Sequence, residues 1–386
     1  MKSNYKPIGN FIRLVDVRNK ELKNLELVGV TVNKRFIPSV ANIIGSDMTN
    51  YKIIKKNQFA CSLMQVRRDG KIPVALFEDN EAIISQAYPV FEIVDTNELL
   101  PQYLMMWMTR SEFDRESCFY AVGGVRGSLE WEDFCSMKLP VPTIDKQKEI
   151  IKEYHAITDR IKLNEQLNQK LEDTAQEIFD STFNNENKEM EQVRLGDFIE
   201  IKGGFSYHSD GLFKGSAYLL GMGCISFTSR FLENGMRLYS NDYPEKHEVK
   251  AKDIVIATRQ QSENMPILGY PAMIPSYLEK ESLIVASNLY RVENNSNLSN
   301  EIIYQLLRST NYLEHIKLNT KGTTVGMITK DAVEDFYFNL PSIELISKLH
   351  IELKSIVDLI FIKRNEIKKL IELKEILLSK MATIEG

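Results

Sequence analysis

Two long stretches of the chain carry apolar residues at alternating steps of four and three. The first stretch comprises Ile150, Tyr154, Ile157, Ile161, Asn164, Asn168, Leu171, Ala175 and Ile178. The second stretch keeps the same spacing through Leu349, Leu353, Ile356, Ile360, Lys363, Ile367, Leu370, Lys374 and Leu377. This spacing places the side chains on one face of a helix, and a repeat of seven is typical of a coiled coil. We therefore predict two helices of about 40 residues, or about 60 Å each.

Four polar residues interrupt these two seams, namely Asn164, Asn168, Lys363 and Lys374. A polar residue at a seam position can fix the register or the partner of a coiled coil at some cost in stability. The alternative is that each seam packs on its own domain. We favour the coiled coil because the two seams match in phase and contain no proline.

The rest of the chain repeats itself after about 200 residues, which indicates a duplicated half-protein rather than a solenoid. Three matched pairs illustrate the repeat: Ile8–Ile12 with Leu195–Ile199, Leu104–Phe113 with Ile303–Tyr312, and Val141-Pro142 with Leu340-Pro341. Each half begins with short apolar runs between turn-rich segments, which predict strands. A helix follows, at Pro101–Phe113 and at Asn300–Tyr312, and then a glycine-containing loop.

These patterns predict an α+β protein with two repeated β-rich domains and two long helices. We place the first domain at residues 1–143 and a central spacer helix with its linker at residues 144–190. The second domain covers residues 191–342, and a C-terminal spacer helix covers residues 343–386.

This organisation resembles the specificity subunit of type I restriction–modification systems. The resemblance rests on the repeated halves, each followed by a long helix, and on four local features: Leu195-Gly196-Asp197, the strand Lys252–Ala257, the loop Gly322–Gly326, and the Leu-Pro pair before each helix. The family usually has a Glu-Gln pair shortly after that proline. Here only Gln147 remains after Pro142 and only Glu344 after Pro341.

The resemblance implies that each half carries a target-recognition domain and that the helices form an antiparallel coiled coil. The two domains would read the two halves of a split site in double-stranded DNA. The expected partners are two methyltransferase subunits and two ATP-driven restriction subunits, which translocate DNA. S-adenosylmethionine, ATP and Mg would be bound in those partners, so we expect no cofactor or metal in this chain.

The composition qualifies the expectation of DNA binding. The formal net charge is -5, whereas a protein that binds DNA by itself is usually basic. Either the basic side chains cluster on one face, or partner subunits supply most phosphate contacts. The four cysteines are scattered, and no segment approaches the ~18 consecutive apolar residues of a membrane span. We therefore expect a cytoplasmic protein without a membrane contact.

Motifs of catalysis are absent from the sequence. The Pro-Pro dipeptide of an adenine methyltransferase loop does not occur, nor does a GxxxxGK[ST] phosphate-binding loop. The five histidines lack the spacing of metal ligands. The sequence therefore favours a non-catalytic subunit. The alternatives are a scaffold whose duplicated domains bind protein, which the acidic charge favours, and a stand-alone enzyme, which the missing motifs disfavour.

Two stretches at equivalent places in the repeat concentrate residues suited to reading bases. Arginine and lysine pair with guanine in the major groove, and asparagine and glutamine pair with adenine. The candidates are Gln65, Arg67, Arg68 and Lys71 in the first half, and Arg259, Gln260 and Gln261 in the second. The glycine loops add Arg126, Lys321, Thr323 and Thr324, and Arg230 is a weaker candidate. The alternative is that the first two stretches are ordinary polar hairpin loops.

Overall fold

The computed structural model of the protein describes residues 5–39, 47–122, 127–183, 191–228, 230–260, 267–279, 281–322 and 325–383. The chain divides into two compact units. Unit 1 comprises Met1–Ile161 and Lys369–Gly386, and unit 2 comprises Lys162–Lys368. Each unit therefore contains one β-rich half of the chain together with a part of each long helix.

Short strands dominate both units, as the alternation of apolar runs and turns predicts. Those of unit 1 are β1 (Tyr5–Pro7), β2 (Ile12–Val15), β3 (Leu27–Val30), β4 (Phe36–Pro38), β5 (Lys52–Lys55), β6 (Gln58–Cys61), β7 (Val74–Leu76), β8 (Glu81–Ile84), β9 (Val90–Ile93) and β10 (Lys138–Pro140). Those of unit 2 are β11 (Glu191–Arg194), β12 (Ile199–Gly203), β13 (Leu212–Leu220), β14 (Arg237–Tyr239), β15 (Glu248–Val249), β16 (Ile254–Ala257), β17 (Arg259–Gln260), β18 (Pro271–Met273), β19 (Leu283–Val285), β20 (Leu289–Asn294), β21 (Gly326–Met327) and β22 (Tyr337–Leu340).

The helices are short, apart from the two that carry the seams. In chain order they are α1 (Val66–Asp69), α2 (Pro101–Thr109), α3 (Ser111–Tyr120), α4 (Trp131–Ser136), α5 (Ile144–Phe183), α6 (Asn300–Leu306), α7 (Thr310–Leu318), α8 (Lys330–Glu334) and α9 (Ile343–Lys380). None of the helices in the described ranges is both long and apolar enough to cross a membrane.

The sheets of the two units have the same topology. Unit 1 has two four-stranded sheets, ordered β2-β9-β6-β7 and β4-β3-β8-β5, and unit 2 has their counterparts, ordered β12-β20-β16-β18 and β14-β13-β19-β15. The neighbouring strands are antiparallel except for β3 with β8 and β13 with β19, which are parallel at the same place in each unit. The predicted α+β class with two repeated halves is confirmed.

The prediction of a single helix in each half, at Pro101–Phe113 and Asn300–Tyr312, is wrong in detail. Each is a pair of helices, α2 with α3 and α6 with α7. In the second half, Ser309 has an extended backbone and its side chain accepts a hydrogen bond from the amide of Tyr312. That contact is an N-cap, which starts a new helix. In the first half, Arg110 takes the same extended conformation at the break.

The two long helices follow the predicted seams closely, with 40 residues in α5 and 38 in α9. In unit 1, Ile150 near the start of α5 shares a core with Leu378 near the end of α9. In unit 2, Phe179 near the end of α5 shares a core with Leu349 near the start of α9. Within each unit, therefore, the end of one helix packs with the start of the other, as in an antiparallel pair.

Every seam residue is buried or half-buried, including the polar ones. The helices also bury residues outside the seam, such as Phe183, Val357 and Phe361, against the β-rich part of unit 2. Both interpretations of the seams therefore hold in part, because each helix contacts its partner helix and its own domain. The assignment of individual residues to the coiled-coil interface stays a prediction.

Candidate nucleic-acid interface

In unit 2, two of the candidate stretches lie side by side. Strand β17 pairs antiparallel with β21, so that Arg259 faces Met327 and Gln260 faces Gly326. The backbones of Lys321 and Met327 exchange hydrogen bonds of 2.9 and 2.8 Å. The stretch that begins at Arg259 and the glycine loop of unit 2 thus form one small ribbon. We call these residues, Arg259–Gln260, Lys321 and Gly326–Met327, the unit 2 ribbon.

Buried neighbours fix the base of the unit 2 ribbon. The amide of Ile328 donates to the carbonyl of Thr258 at 3.2 Å, and Thr258 Oγ1 donates to the carbonyl of Asn288 at 2.9 Å. The Tyr290 hydroxyl donates to the carbonyl of Ile328 at 2.9 Å. Since Thr258 and Ile328 are both buried, exposed Arg259 and exposed Met327 are each bonded directly to a buried residue.

The unit 2 ribbon presents positive charge to solvent. Arg259 and Lys321 are both exposed, and in the part of the chain that the structure describes neither forms an ion pair with an acidic side chain. Burial raises the pKa of Tyr290, and nearby Arg259 partly offsets that rise. An unpaired guanidinium is free to donate to a ligand in its fixed, fork-like geometry.

The equivalent stretch of unit 1 is not a hairpin loop but the short helix α1, held between two turns. Gln65 before it and Gly70 after it both take the left-handed conformation, with φ of 64° and 67°. The amide of Arg67 donates to the carbonyl of Gly127 at 3.2 Å, and the amide of Leu129 donates to the carbonyl of Leu63 at 2.9 Å. We call residues 65–71 together with Gly127 the unit 1 turn.

Gly127 is in contact with the arginine that it supports. Its φ is 65°, and a Cβ at this position would lie 2.5 Å from the Cβ of Arg67. Real Cβ atoms do not approach so closely, so this position of the loop needs glycine for space as well as for conformation. Gly70 has a similar φ but open space around it.

A buried ion pair holds the far end of the unit 1 turn. The amide of Ile72 donates to Asp114 Oδ1 at 3.1 Å, and the ammonium of Lys34 lies 2.8 Å from the same oxygen. Burial lowers the pKa of Lys34, although Asp114 partly offsets that effect. Asp114 therefore connects α3, the strand region around Lys34, and the residue that follows Lys71.

The candidate side chains of unit 1 differ in how available they are to bind a ligand. Arg67 and Lys71 are exposed. Arg68 is also exposed, but its Nε lies 2.8 Å from the carboxylate of Asp69, which makes it the least available of the three. The remaining candidates Arg126, Gln261, Thr323 and Thr324, and the side chain of Gln260, lie outside the described residues, and their roles stay predictions.

The two units build the same junction from different residues. Leu63 with Leu129 in unit 1 corresponds to Thr258 with Ile328 in unit 2, and each pair is joined by the same backbone hydrogen bond. Each junction carries an exposed arginine, Arg67 or Arg259. In each half, the sequence indicated the stretch that contains the arginine and the glycine loop as candidates. It did not indicate that these two segments are hydrogen-bonded to each other.

Arg230, the weaker candidate, is engaged elsewhere. Its Nε lies 2.8 Å from Glu172 on α5, and Arg364 on α9 lies 2.8 Å from the other oxygen of the same carboxylate. Glu172 is 5% exposed. This cluster joins the β-rich part of unit 2 to both long helices. The sequence contained one signal for this cluster, namely a glutamate directly after the seam residue Leu171, but the sequence analysis did not single it out.

In the described ranges, no group of three or more His, Cys, Asp and Glu side chains is placed to hold a metal ion. The four cysteines are free thiols, and burial raises the pKa of each of them, to about 11 at Cys224. A thiol with a raised pKa is a poor nucleophile at neutral pH.

Comparison with known proteins agrees with this description. A family model described as the type I restriction modification DNA specificity domain matches residues 28–173 and 187–374. The HindI type I restriction enzyme specificity subunit of Haemophilus influenzae is 28% identical over 204 residues, which cover 51% of this chain and 41% of that protein. The alignment thus spans less than half the length of this curated relative.

The fold is similar to that of a solved structure over nearly the whole length of both chains. The crystal structure of a type I restriction–modification system S subunit from M. genitalium matches with a TM-score of 0.61 and 14% identity. The match covers 99% of this chain and 96% of that one. At this identity the match shows the fold alone.

Proposed function

Because the chain belongs to the type I restriction modification DNA specificity family, we propose that it is the subunit that reads a bipartite DNA target, one half-site per unit. The observation that carries this proposal is the repeated junction, in which an exposed arginine lies beside two chain segments joined by the same backbone hydrogen bond in both units. A junction that is repeated in both units suits a DNA target with two separate half-sites.

The chemistry of the junctions fits base reading. Arg67 and Arg259 would donate to O6 and N7 of guanine, and Gln65 and Gln260 would pair with adenine. Lys71 and Lys321 would contact phosphates, which position a protein on DNA without reading its sequence. We propose that Arg126, Gln261, Thr323 and Thr324 contact DNA as well.

We further propose that the chemistry of the complex lies in partner subunits. Two methyltransferase subunits and two restriction subunits would bind S-adenosylmethionine, ATP and Mg, while this chain supplies the recognition in the cytoplasm. The formal net charge of -5 supports a need for partners, because neutralisation of phosphates provides much of the affinity for DNA.

Selection from a random duplex library tests the proposal. The chain, assembled with its methyltransferase subunit, is incubated with the library, and the bound duplexes are sequenced. We expect enrichment of two short motifs separated by a spacer of constant length and free sequence. Enrichment of one contiguous motif, or of no motif, would contradict the proposal that each unit reads one half-site.

The isolated chain should bind DNA weakly and with a shallow salt dependence, and the methyltransferase subunit should tighten binding and steepen that dependence. The acidic balance of the chain is the reason, since few phosphate contacts can come from it alone. Titration of a target duplex with the chain, with and without the partner, measures the difference. Tight and sequence-specific binding by the purified chain alone would count against this prediction.

Gly127→Ala should damage the unit 1 turn, whereas Gly70→Ala should not. Both changes force an L-residue into the left-handed region, at a cost of about 1 kcal/mol. Only the alanine at position 127 also collides with Arg67, and overpacking adds about 1–3 kcal/mol.

We expect Gly127→Ala to impair recognition of one half-site, measured by competition between duplexes that differ in that half-site. Gly70→Ala is the matched control and should keep the wild-type preference. Equal behaviour of the two variants would show that Gly127 does not position Arg67.

A further inference from the structure

The most exposed large apolar side chains near the two junctions occupy the same position in the repeat. Leu318, the last residue of α7, is 85% exposed, and Phe119, near the end of α3, is 76% exposed. The alignment of Leu104–Phe113 with Ile303–Tyr312 places Phe119 opposite Leu318. One exposed leucine needs no explanation, but the same position exposed in both units does.

Packing within the units does not account for these two side chains. The inner faces of the same helices are already filled, by Phe113 in α3 and by Tyr312 and Ile316 in α7, all of them fully buried. Leu318 and Phe119 point away from those cores. Their apolar surface therefore remains available for a ligand.

Each of the two side chains lies beside a junction. Lys321, which lies three residues after the end of α7, belongs to the unit 2 ribbon. In unit 1, the thiol of Cys118 donates to the carbonyl of Val66 at 3.5 Å, which joins the end of α3 to the unit 1 turn. A Cβ on Gly127 would also lie 3.2 Å from the carbonyl of Ala121.

Further exposed apolar residues accompany them. In unit 2, Met327 of the unit 2 ribbon and Val325 directly before Gly326 are exposed. In unit 1, Met64 and Val122 are exposed beside the turn and the end of α3. Each unit thus has a set of exposed apolar residues in the chain segments that adjoin its junction and its exposed arginine. We call them the unit 1 patch (Met64, Phe119, Val122) and the unit 2 patch (Leu318, Val325, Met327).

We propose that Leu318 and Phe119 are specificity-determining residues that contact the C5-methyl groups of thymines in the half-sites. The proposal rests on the proposed function. DNA is the favoured occupant because exposed Arg259, Lys321 and Arg67 belong to the junctions that adjoin these apolar residues, and because one patch per unit matches one half-site per unit. The methyl group of thymine is the apolar feature of the major groove, and apolar side chains recognise it there.

Replacement of thymine by uracil tests this directly, since uracil keeps every hydrogen-bonding group and lacks the methyl. The chain, assembled with its methyltransferase subunit, is titrated with the duplex found by library selection and with duplexes in which single thymines of one half-site are uracil. We expect about a fourfold loss of affinity for each methyl group in contact. Leu318→Ala should abolish that loss in one half-site, and Phe119→Ala should abolish it in the other.

Leu238→Ala in unit 2 and Leu14→Ala in unit 1 are the matched controls, because both replace exposed leucines on strands. They should keep the wild-type ratio of thymine to uracil affinity. The proposal is overturned if the wild-type complex does not distinguish thymine from uracil, or if the ratio survives in Leu318→Ala and Phe119→Ala.

A different result for Leu318→Ala would be loss of binding of the methyltransferase subunit with the wild-type ratio of thymine to uracil affinity kept. That result would also overturn the proposal, since the unit 2 patch would then bind a protein partner. These failures are distinct from a failure of the proposed function, in which the wild-type complex would show no sequence preference on any duplex.

Discussion

Arg259→Ala should relax recognition of one half-site and leave the other half-site unchanged, while Arg67→Ala should do the reverse. Each arginine is exposed and stands on a junction within a separate unit. A bidentate contact with a base is worth about 1–3 kcal/mol, which corresponds to a factor of about 5 to 150 in affinity. Competition between duplexes that carry each base change in turn measures the effect.

Arg259→Lys is the informative control for this prediction. Lysine keeps the charge but lacks the planar fork of the guanidinium, so a phosphate contact survives the change and a bidentate base contact does not. Arg115→Ala, which removes an exposed arginine on α3, should leave both half-sites unchanged. A uniform loss of affinity for all duplexes in Arg259→Ala would show that this residue contacts phosphate.

Glu172→Ala should destabilise unit 2 by about 3 kcal/mol, because removal of one member of a buried ion pair leaves a charge without its partner. Glu172 is 5% exposed and accepts from Arg364, which is 15% exposed, and from Arg230, which is 29% exposed. Arg230 can recover some solvent contact, so most of the loss comes from Arg364. Urea unfolding of the full chain measures the shift.

Glu177→Ala is the matched control, because Glu177 is an exposed glutamate on the same helix. It should change the stability by less than ~0.5 kcal/mol. Combining Glu172→Ala with Arg364→Ala should cost less than the sum of the two single changes, because the double variant leaves no unpaired charge between them. Additive losses would contradict a coupled cluster.

The long helices were predictable from the sequence because their signal is local. The period of 3.6 residues places every seam residue on one face, and the predicted 40 residues agree with the 40 in α5 and the 38 in α9. The second buried face of each helix was not predicted. It depends on contacts of Phe183 and Phe361 with the domain, which no spacing within the helix reveals.

The breaks between α2 and α3 and between α6 and α7 show where local patterns mislead. Leu104–Phe113 and Ile303–Tyr312 continue an apolar period across the break, so the sequence suggests one helix in each half. The N-cap at Ser309 was a readable signal. Arg110 has no side-chain cap, so the break in the first half has no comparable signal. The arginine there stacks on Trp107 of the last turn of α2, 4.1 Å from the ring centroid.

The candidate site was predictable only in its parts. Residue types suited to base reading, at equivalent places in the repeat, pointed to Arg67 and Arg259. The meeting of Arg259 with Met327 depends on a strand pairing between distant segments, and sequence patterns do not encode such pairing. The buried support from Asp114 and Lys34 was missed for the same reason, since each residue alone resembles an ordinary surface charge.

Methylome sequencing of a host with the gene intact and with the gene disrupted tests the central claim most directly. If this chain reads DNA for a methyltransferase, disruption should remove one bipartite methyladenine motif from the genome and leave all others in place. Arg259→Ala in the same host should change one half of that motif only. A methylome that is identical with and without the gene would contradict the account.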